Sequence, residues 1–122
     1  MRGGTIRYLL LSAALLLPAV MLCSGPLPKR EFRGAWMHTV FQSQYARQST
    51  AENKTYLSDQ LDRLQEAGIN AVIFQIRPQA DAFYKSELEP WSKFLSGKAG
   101  VAPVPAWDPL AFMIEECHKR GM

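Results

Sequence analysis

Cysteine and histidine are scarce in this sequence, with two of each among 122 residues. Cys23 lies near the N-terminus and Cys117 at an apolar position of a predicted helix, so we expect no disulfide framework. His38 has no second histidine or carboxylate at ligand spacing, and a single histidine in an apolar strand is more often a hydrogen-bonded core residue than a site residue. The sequence therefore predicts neither a metal site nor another cofactor.

The sequence also lacks a strong excess of charge of either sign. Its net charge is +3, and without Arg2 and Arg7, which fall in a predicted leader, the charge is +1. Binding to nucleic acid through a basic surface is therefore not expected. Hydrophobic residues make up 48% of the chain and charged residues 20%, a balance that is typical of a folded globular domain.

The one long apolar run lies at the N-terminus. Residues 1–25 place the positive Arg2 and Arg7 before the apolar stretch Tyr8–Leu22, an arrangement that predicts a signal peptide. The stretch is too short and too poorly flanked to favour a membrane-spanning helix. Residues 26–30 are rich in proline and are interpreted as a short linker.

Cys23 gives the leader a second interpretation. As a lipoprotein cysteine it would become the acylated N-terminus, whereas a simple signal peptide would be cleaved near Ser24 or Gly25. Both alternatives predict an exported protein, located in the periplasm or attached to the cell-envelope membrane through an N-terminal lipid.

The next segments predict a strand followed by a helix. Residues 31–40 form the first predicted strand, and residues 41–48 are interpreted as a loop. Ser49 and Glu52 form a capping box that begins a helix, and Gly68 is expected to end it as a left-handed cap. The helix contributes an apolar stripe of Leu57, Leu61 and Leu64.

Residues 71–76 predict the central strand, because they are almost all apolar and include several β-branched residues. Such a run suits a strand covered on both faces, and Pro78 ends it. Side chains alternate along a strand, so Gln75 and Arg77 should lie on one face near its C-terminal end. Ligands of α/β folds bind at this end of the strands.

A long irregular segment, residues 78–107, precedes the last predicted helix. Asp108 is its expected N-cap and Pro109 its first residue, while Gly121 is expected to end it. The element order is then strand, helix, strand, helix. This order predicts an α/β fold with a parallel sheet. A complete (β/α)8 TIM barrel needs roughly 250 residues, so residues 31–122 are interpreted as its N-terminal βαβα portion, an incomplete domain truncated before strand three.

Several separated motifs follow, in the same order, the N-terminal pattern of a known family. The sequence resembles the glycosyl hydrolase-like 10 family from residue 31 to residue 122. The motifs that carry the resemblance are Arg33-Gly34-Ala35-Trp36, residues 68–78, Asp81 with Tyr84 and Ser86, Pro90-Trp91-Ser92, Gly97, Gly100 and residues 108–121. The resemblance implies an exported or lipid-anchored bacterial TIM-barrel protein, with some members implicated in cutting glycan strands of the cell wall.

The resemblance implies a polysaccharide or oligosaccharide substrate but not the catalytic residues in this sequence. Glycoside hydrolysis uses two carboxyl groups at a fixed separation. The sequence assigns no catalytic pair among Asp81, Glu87 and Glu89, and we expect the catalytic pair beyond Met122.

Five residues are predicted to bind sugar, by hydrogen bonding or ring stacking. They are Gln75, Arg77, Asp81, Tyr84 and Trp91. In the alternative interpretation, Arg77 and Asp81 form a salt bridge that fixes the loop, and Trp91 anchors the loop in the core. The functional alternatives to a glycoside hydrolase are a noncatalytic membrane-attached carbohydrate-binding protein and a gene fragment without a function of its own.

Overall fold

Two short parallel strands form the sheet of the part of the chain that the structure describes. The computed structural model describes residues 31–122, so the predicted leader, the linker and the lipidation at Cys23 lie outside the described residues. Strand β1 is Gly34–Met37 and strand β2 is Ala71–Phe74. In their register Trp36 lies beside Ile73. The parallel pairing and the mixed α/β composition were predicted, although both strands are shorter than expected.

Four helices accompany the sheet within residues 31–122, and two of them were not predicted. They are α1 (Gln44–Arg47), α2 (Thr50–Glu66), α3 (Lys93–Ser96) and α4 (Pro109–Lys119). The two single-turn helices, α1 and α3, lie in segments that were interpreted as loops. The prediction was wrong there because four residues span about one helical turn, too few to show a repeating apolar stripe.

Both long helices begin as their sequences predict. The Ser49 hydroxyl accepts a hydrogen bond from the backbone N–H of Glu52 at 3.2 Å, and the Glu52 carboxylate accepts one from the backbone N–H of Ser49 at 2.7 Å. At the start of α4, the Asp108 carboxylate accepts from the backbone N–H of Ala111 at 3.0 Å. Gly68 follows α2 with φ +79°, as expected for a left-handed helix cap.

One face of the sheet packs against the long helices. Val72 and Phe74 of β2, together with Ile76, contact a core that includes Leu57 and Leu61 of α2. Met113 of α4 belongs to the same core and is almost fully buried. The sheet therefore positions its helices on one side, and the C-terminal ends of both strands lie at one edge.

The other face of the sheet is open within residues 31–122. Trp36 is 62% exposed and Ile73 is 44% exposed, and these two side chains are neighbours across the strand pair. The expectation of a strand covered on both faces is therefore wrong for the part of the chain that the structure describes. In the same residues no helix is both long and apolar enough to span a bilayer.

Candidate functional site

The candidate site lies at the C-terminal edge of the two strands. Because the strands are parallel, the segments that leave them, residues 38–49 and 75–107, begin at the same edge. Gln75 joins these segments: its side-chain oxygen accepts hydrogen bonds from the backbone N–H groups of Thr39 at 2.9 Å and Val40 at 3.1 Å. The carboxamide oxygen is thus engaged by the protein, and its NH₂ group is the part suited to a ligand.

Arg77, Glu89 and Tyr84 form a connected polar cluster just beyond β2. One Glu89 carboxylate oxygen pairs with the Arg77 guanidinium, and the other accepts a hydrogen bond from the Tyr84 hydroxyl at 3.1 Å. This bond to Glu89 raises the pKa of Tyr84, because the carboxylate stabilises the protonated phenol. Glu89 is only 17% exposed at its side chain, whereas Arg77 is 57% exposed. The half-buried acid therefore orients a guanidinium that faces solvent.

Asp81 has a different partner from the one considered in the sequence analysis. Arg77 pairs with Glu89, and Asp81, which is 7% exposed, accepts a hydrogen bond from the backbone N–H of Gln79 at 3.1 Å. Ala80 between them has φ +57°, so the Asp81 carboxylate supports a tight turn. The salt bridge between Arg77 and Asp81 is therefore replaced by one between Arg77 and Glu89.

The long segment that carries Tyr84 and Trp91 is folded back on the core. Phe83 donates its backbone N–H to the Ile76 carbonyl at 2.9 Å, and its side chain is fully buried. Ala82 pairs with Trp91 in an isolated parallel bridge. Trp91 is half-buried and packs against the core, which fits a loop anchor; its role in sugar binding stays a prediction.

His38 lies at the same edge but is not a core residue. Its side chain is exposed and contacts the side chain of Gln42. The histidine is hydrogen-bonded, as expected, but the expectation that it is buried was wrong. Within residues 31–122 no group of three or more histidine, cysteine, aspartate or glutamate side chains is arranged to hold a metal ion.

Comparison with known proteins places this sequence in a family. The glycosyl hydrolase-like 10 family model matches residues 31–122, which include both strands and the polar cluster. The chain belongs to the glycosyl hydrolase-like 10 family. A Bacillus subtilis (strain 168) relative, glycosyl hydrolase YngK, is 46% identical over 96 residues, covering 76% of this chain and 18% of that protein.

A second relative of this glycosyl hydrolase-like 10 chain is glycosyl hydrolase DigH of Escherichia coli (strain K12). It is 38% identical over 100 residues, which cover 74% of this chain and 22% of that protein. The chain thus spans about a fifth of the length of these curated relatives. The five residues predicted to bind sugar all lie within the part that the family model matches.

Proposed function

We propose that this glycosyl hydrolase-like chain is the N-terminal part of an exported glycoside hydrolase that acts on a bacterial polysaccharide such as cell-wall glycan. The observation that carries the proposal is the family match over residues 31–122, together with relatives that are named glycosyl hydrolases. The positive and apolar leader sequence, with Cys23 at its end, supports export and attachment to the membrane by a lipid.

The open face of the sheet supports completion of the fold as a (β/α)8 barrel. Trp36 and Ile73 present adjacent apolar side chains to solvent. In a closed barrel, the side chains opposite the helices fill the interior. Further strands beyond those described would cover this face and provide the two carboxyl groups that hydrolysis requires.

In this proposal the polar cluster binds the substrate. Glu89 and the bond that it accepts from Tyr84 hold the Arg77 guanidinium at the edge of the sheet. The guanidinium directs its remaining N–H donors toward sugar hydroxyl oxygens. Gln75 contributes its NH₂ group from the same edge. These groups bind and orient the sugar; bond cleavage is assigned to carboxyl groups elsewhere in the protein.

A noncatalytic carbohydrate-binding protein is the second candidate, and one observation favours it. Two acids of the long segment have little solvent exposure, and both already have protein partners. Asp81 accepts a hydrogen bond within a turn, and Glu89 forms an ion pair with Arg77. A protein without another inward-facing carboxyl pair would bind glycan and leave it intact. Its binding would survive replacement of every inward-facing acid.

The proposal is tested on the protein as its native source produces it. Its intact mass is measured first: a mass several times that of residues 24–122 supports a complete barrel, and an added acyl mass on Cys23 supports lipidation. The purified protein is then incubated with cell-wall glycan, and new reducing ends are measured. Glycan binding without new reducing ends would favour the noncatalytic alternative, and a mass that matches the short chain would contradict the barrel.

A further inference from the structure

Ser86 lies midway along residues 82–90, the loop that carries Tyr84 and Glu89 of the polar cluster. Its hydroxyl oxygen accepts hydrogen bonds from two backbone N–H groups, those of Leu88 and Glu89, each at 3.1 Å. A hydroxyl oxygen has two acceptor lone pairs, so these two bonds use the full acceptor capacity of the side chain. A serine that closes a turn in this way fixes the backbone of the residues that follow it.

The parts of the loop before and after this turn are held by other contacts. Ala82 donates its backbone N–H to the Pro90 carbonyl at 2.9 Å, which closes the base of the loop. Lys85 donates its backbone N–H to the carboxylate of Asp108, the N-cap of α4, at 3.1 Å. The chain therefore enters the turn from a fixed point, and the base of the loop does not depend on Ser86.

The tip of the loop lacks comparable packing within residues 31–122. Glu87 is exposed and Leu88 is 94% exposed, so neither side chain anchors the backbone between Ser86 and Glu89. Exposed segments with few apolar contacts open readily. The two bonds to the Ser86 hydroxyl are therefore the contacts that determine how the tip is folded.

The fold of the tip decides where the Glu89 carboxylate lies. One carboxylate oxygen pairs with the Arg77 guanidinium, and the other accepts a hydrogen bond from the Tyr84 hydroxyl at 3.1 Å. The side chain of Glu89 is 17% exposed and that of Arg77 is 57% exposed, so the guanidinium extends into solvent from a more shielded acid. Ser86 thus binds the backbone of the residue whose side chain joins the cluster.

We propose that Ser86 is a positioning residue of the polar cluster: its hydroxyl holds the loop tip so that Glu89 presents the Arg77 guanidinium to the sugar. The class of ligand rests on the proposed function, whereas the position of Glu89 depends on the loop alone. Without the hydroxyl, the N–H groups of Leu88 and Glu89 turn to water, and the tip samples other conformations. Arg77 is then less often in the orientation that binds, which lowers the apparent affinity.

The ionisation of Tyr84 reports where the Glu89 carboxylate lies. The hydrogen bond to Glu89 is the main cause of the raised pKa of Tyr84, whereas the Arg77 charge and the Ser86 hydroxyl act in the opposite direction. Loss of the Ser86 hydroxyl alone would therefore raise the pKa of Tyr84 further, but displacement of Glu89 would lower it. The sign of the change separates a positioning role from a simple contact with the phenol.

The test compares two substitutions at Ser86 in the intact protein, expressed in its native source. Ser86→Ala removes the hydroxyl, and Ser86→Thr keeps one. Ser49→Ala is the matched control, because the Ser49 hydroxyl also accepts a backbone N–H, that of Glu52 at 3.2 Å, but in the capping box of α2. The pKa of Tyr84 is measured by NMR titration of labelled tyrosine and assigned with Tyr84→Phe. Titration calorimetry with the β-linked tetramer of N-acetylglucosamine measures binding, and thermal melting verifies that each variant is folded.

We expect Ser86→Ala to lower the pKa of Tyr84 and to weaken tetramer binding roughly 2- to 10-fold, the equivalent of about one hydrogen bond. Ser86→Thr should retain both properties. Ser49→Ala should lower the melting temperature and change neither property. An unchanged or raised pKa of Tyr84 in Ser86→Ala would overturn the positioning role, since Glu89 would then keep its place without the hydroxyl. Global unfolding of Ser86→Ala would also overturn it, because the hydroxyl would then support the whole fold and not the loop.

Failure of the positioning role is distinguishable from failure of the proposed function. If the original protein binds the tetramer and cleaves glycan while Ser86→Ala leaves the pKa of Tyr84 and the affinity unchanged, the positioning role is wrong and the hydrolase proposal stands. If the pKa of Tyr84 falls in Ser86→Ala but the original protein neither binds the tetramer nor cleaves glycan, Ser86 does position Glu89 and the proposed function is wrong.

Discussion

Thr39 donates two hydrogen bonds to Gln75 at the C-terminal edge of the sheet. The Thr39 backbone N–H donates to the Gln75 side-chain oxygen at 2.9 Å, and the Thr39 hydroxyl donates to the Gln75 carbonyl at 2.9 Å. A side chain thereby extends the connection between β1 and β2 beyond the last paired residues, Met37 and Phe74. These two bonds fix where the first loop leaves the sheet, and they give Gln75 a structural role beside any role in binding.

Replacing Gln75 with Leu should destabilise the protein, because the buried N–H of Thr39 would lose its acceptor. The expected loss is about 1–3 kcal/mol in the free energy of unfolding, measured by chemical denaturation. Gln75→Glu keeps an acceptor oxygen and serves as the matched control. Hydrogen exchange should accelerate at the Thr39 and Val40 amides in the Leu variant alone; unchanged exchange there would contradict the assigned role.

Replacing Arg77 with Ala should weaken oligosaccharide binding by the intact protein more than it lowers the melting temperature. Arg77 is largely exposed, so its removal costs little packing, whereas its guanidinium donors are the proposed sugar contacts. Arg63→Ala, at an exposed arginine on α2, is the control. A large loss of stability with unchanged binding would make Arg77 a structural residue only.

Replacing Glu89 with Gln should lower the pKa of Tyr84. At present the Glu89 carboxylate accepts the Tyr84 hydroxyl proton in a hydrogen bond and raises the pKa of the phenol above its ordinary value of 10.0. A neutral amide stabilises the protonated phenol less. The ultraviolet titration of tyrosinate, with Tyr84→Phe used to assign the signal, measures the change. An unshifted titration would show that the two side chains do not interact in solution.

The helix ends could be predicted because a few local residues determine them. Ser49 with Glu52, and Asp108 with Pro109, satisfy the first backbone N–H groups without help from distant parts of the chain. The short α1 and α3 escaped prediction because a single turn has no apolar period. The solvent exposure of the face containing Trp36 was not predicted either. An apolar strand sequence does not show which other strands or helices cover each of its faces.

The polar cluster was predicted only in part. Arg77 was selected for its hydrogen-bond donors near the strand's C-terminal end and Tyr84 for its ring, and the structure joins them through Glu89. Glu89 was noted as a loop acid, but Asp81 was the acid considered as the partner of Arg77. The conformation of residues 78–91, including the turn at Ala80, decides between the two acids. That conformation depends on backbone contacts between distant residues, such as Ala82 with Pro90 and Ser92.

The capping box at α2 should make stability depend on acid pH. The pKa of Glu52 lies below its ordinary value of 4.5 because its carboxylate accepts hydrogen bonds from the Ser49 backbone N–H and hydroxyl. A depressed folded-state pKa contributes stability above the unfolded pKa, and that contribution is lost as the pH falls through the folded value. The unfolding free energies of the original protein and of Glu52→Gln should therefore converge as the pH falls below 4.5. Parallel pH profiles would contradict the capping interaction.

Arg120 should couple the two long helices. Its guanidinium contacts Asp62 of α2 at 2.7 Å and Glu116 of α4 at 2.6 Å. Because Asp62 is mostly exposed, a double-mutant cycle between Arg120→Ala and Asp62→Ala should give about 0.2–1 kcal/mol, decreasing with added salt. The same cycle with Asp59, one turn earlier on α2, should give additive effects. If Arg120 had the same coupling energy with Asp59 as with Asp62, the effect would come from long-range attraction between opposite charges and not from the observed contact.

Trp36 should report whether the sheet is completed in the intact protein. Within the described residues its ring lies largely in solvent beside Ile73, and the chain contains three tryptophans. When Trp91→Phe and Trp107→Phe are combined in one variant, Trp36 is the tryptophan that remains in residues 31–122 and gives their tryptophan fluorescence. Further strands would enclose this ring in the barrel interior, so acrylamide should quench the native protein much less than the same protein in denaturant. Equal quenching in both states would mean that the open face stays open, and the barrel proposal would then be wrong.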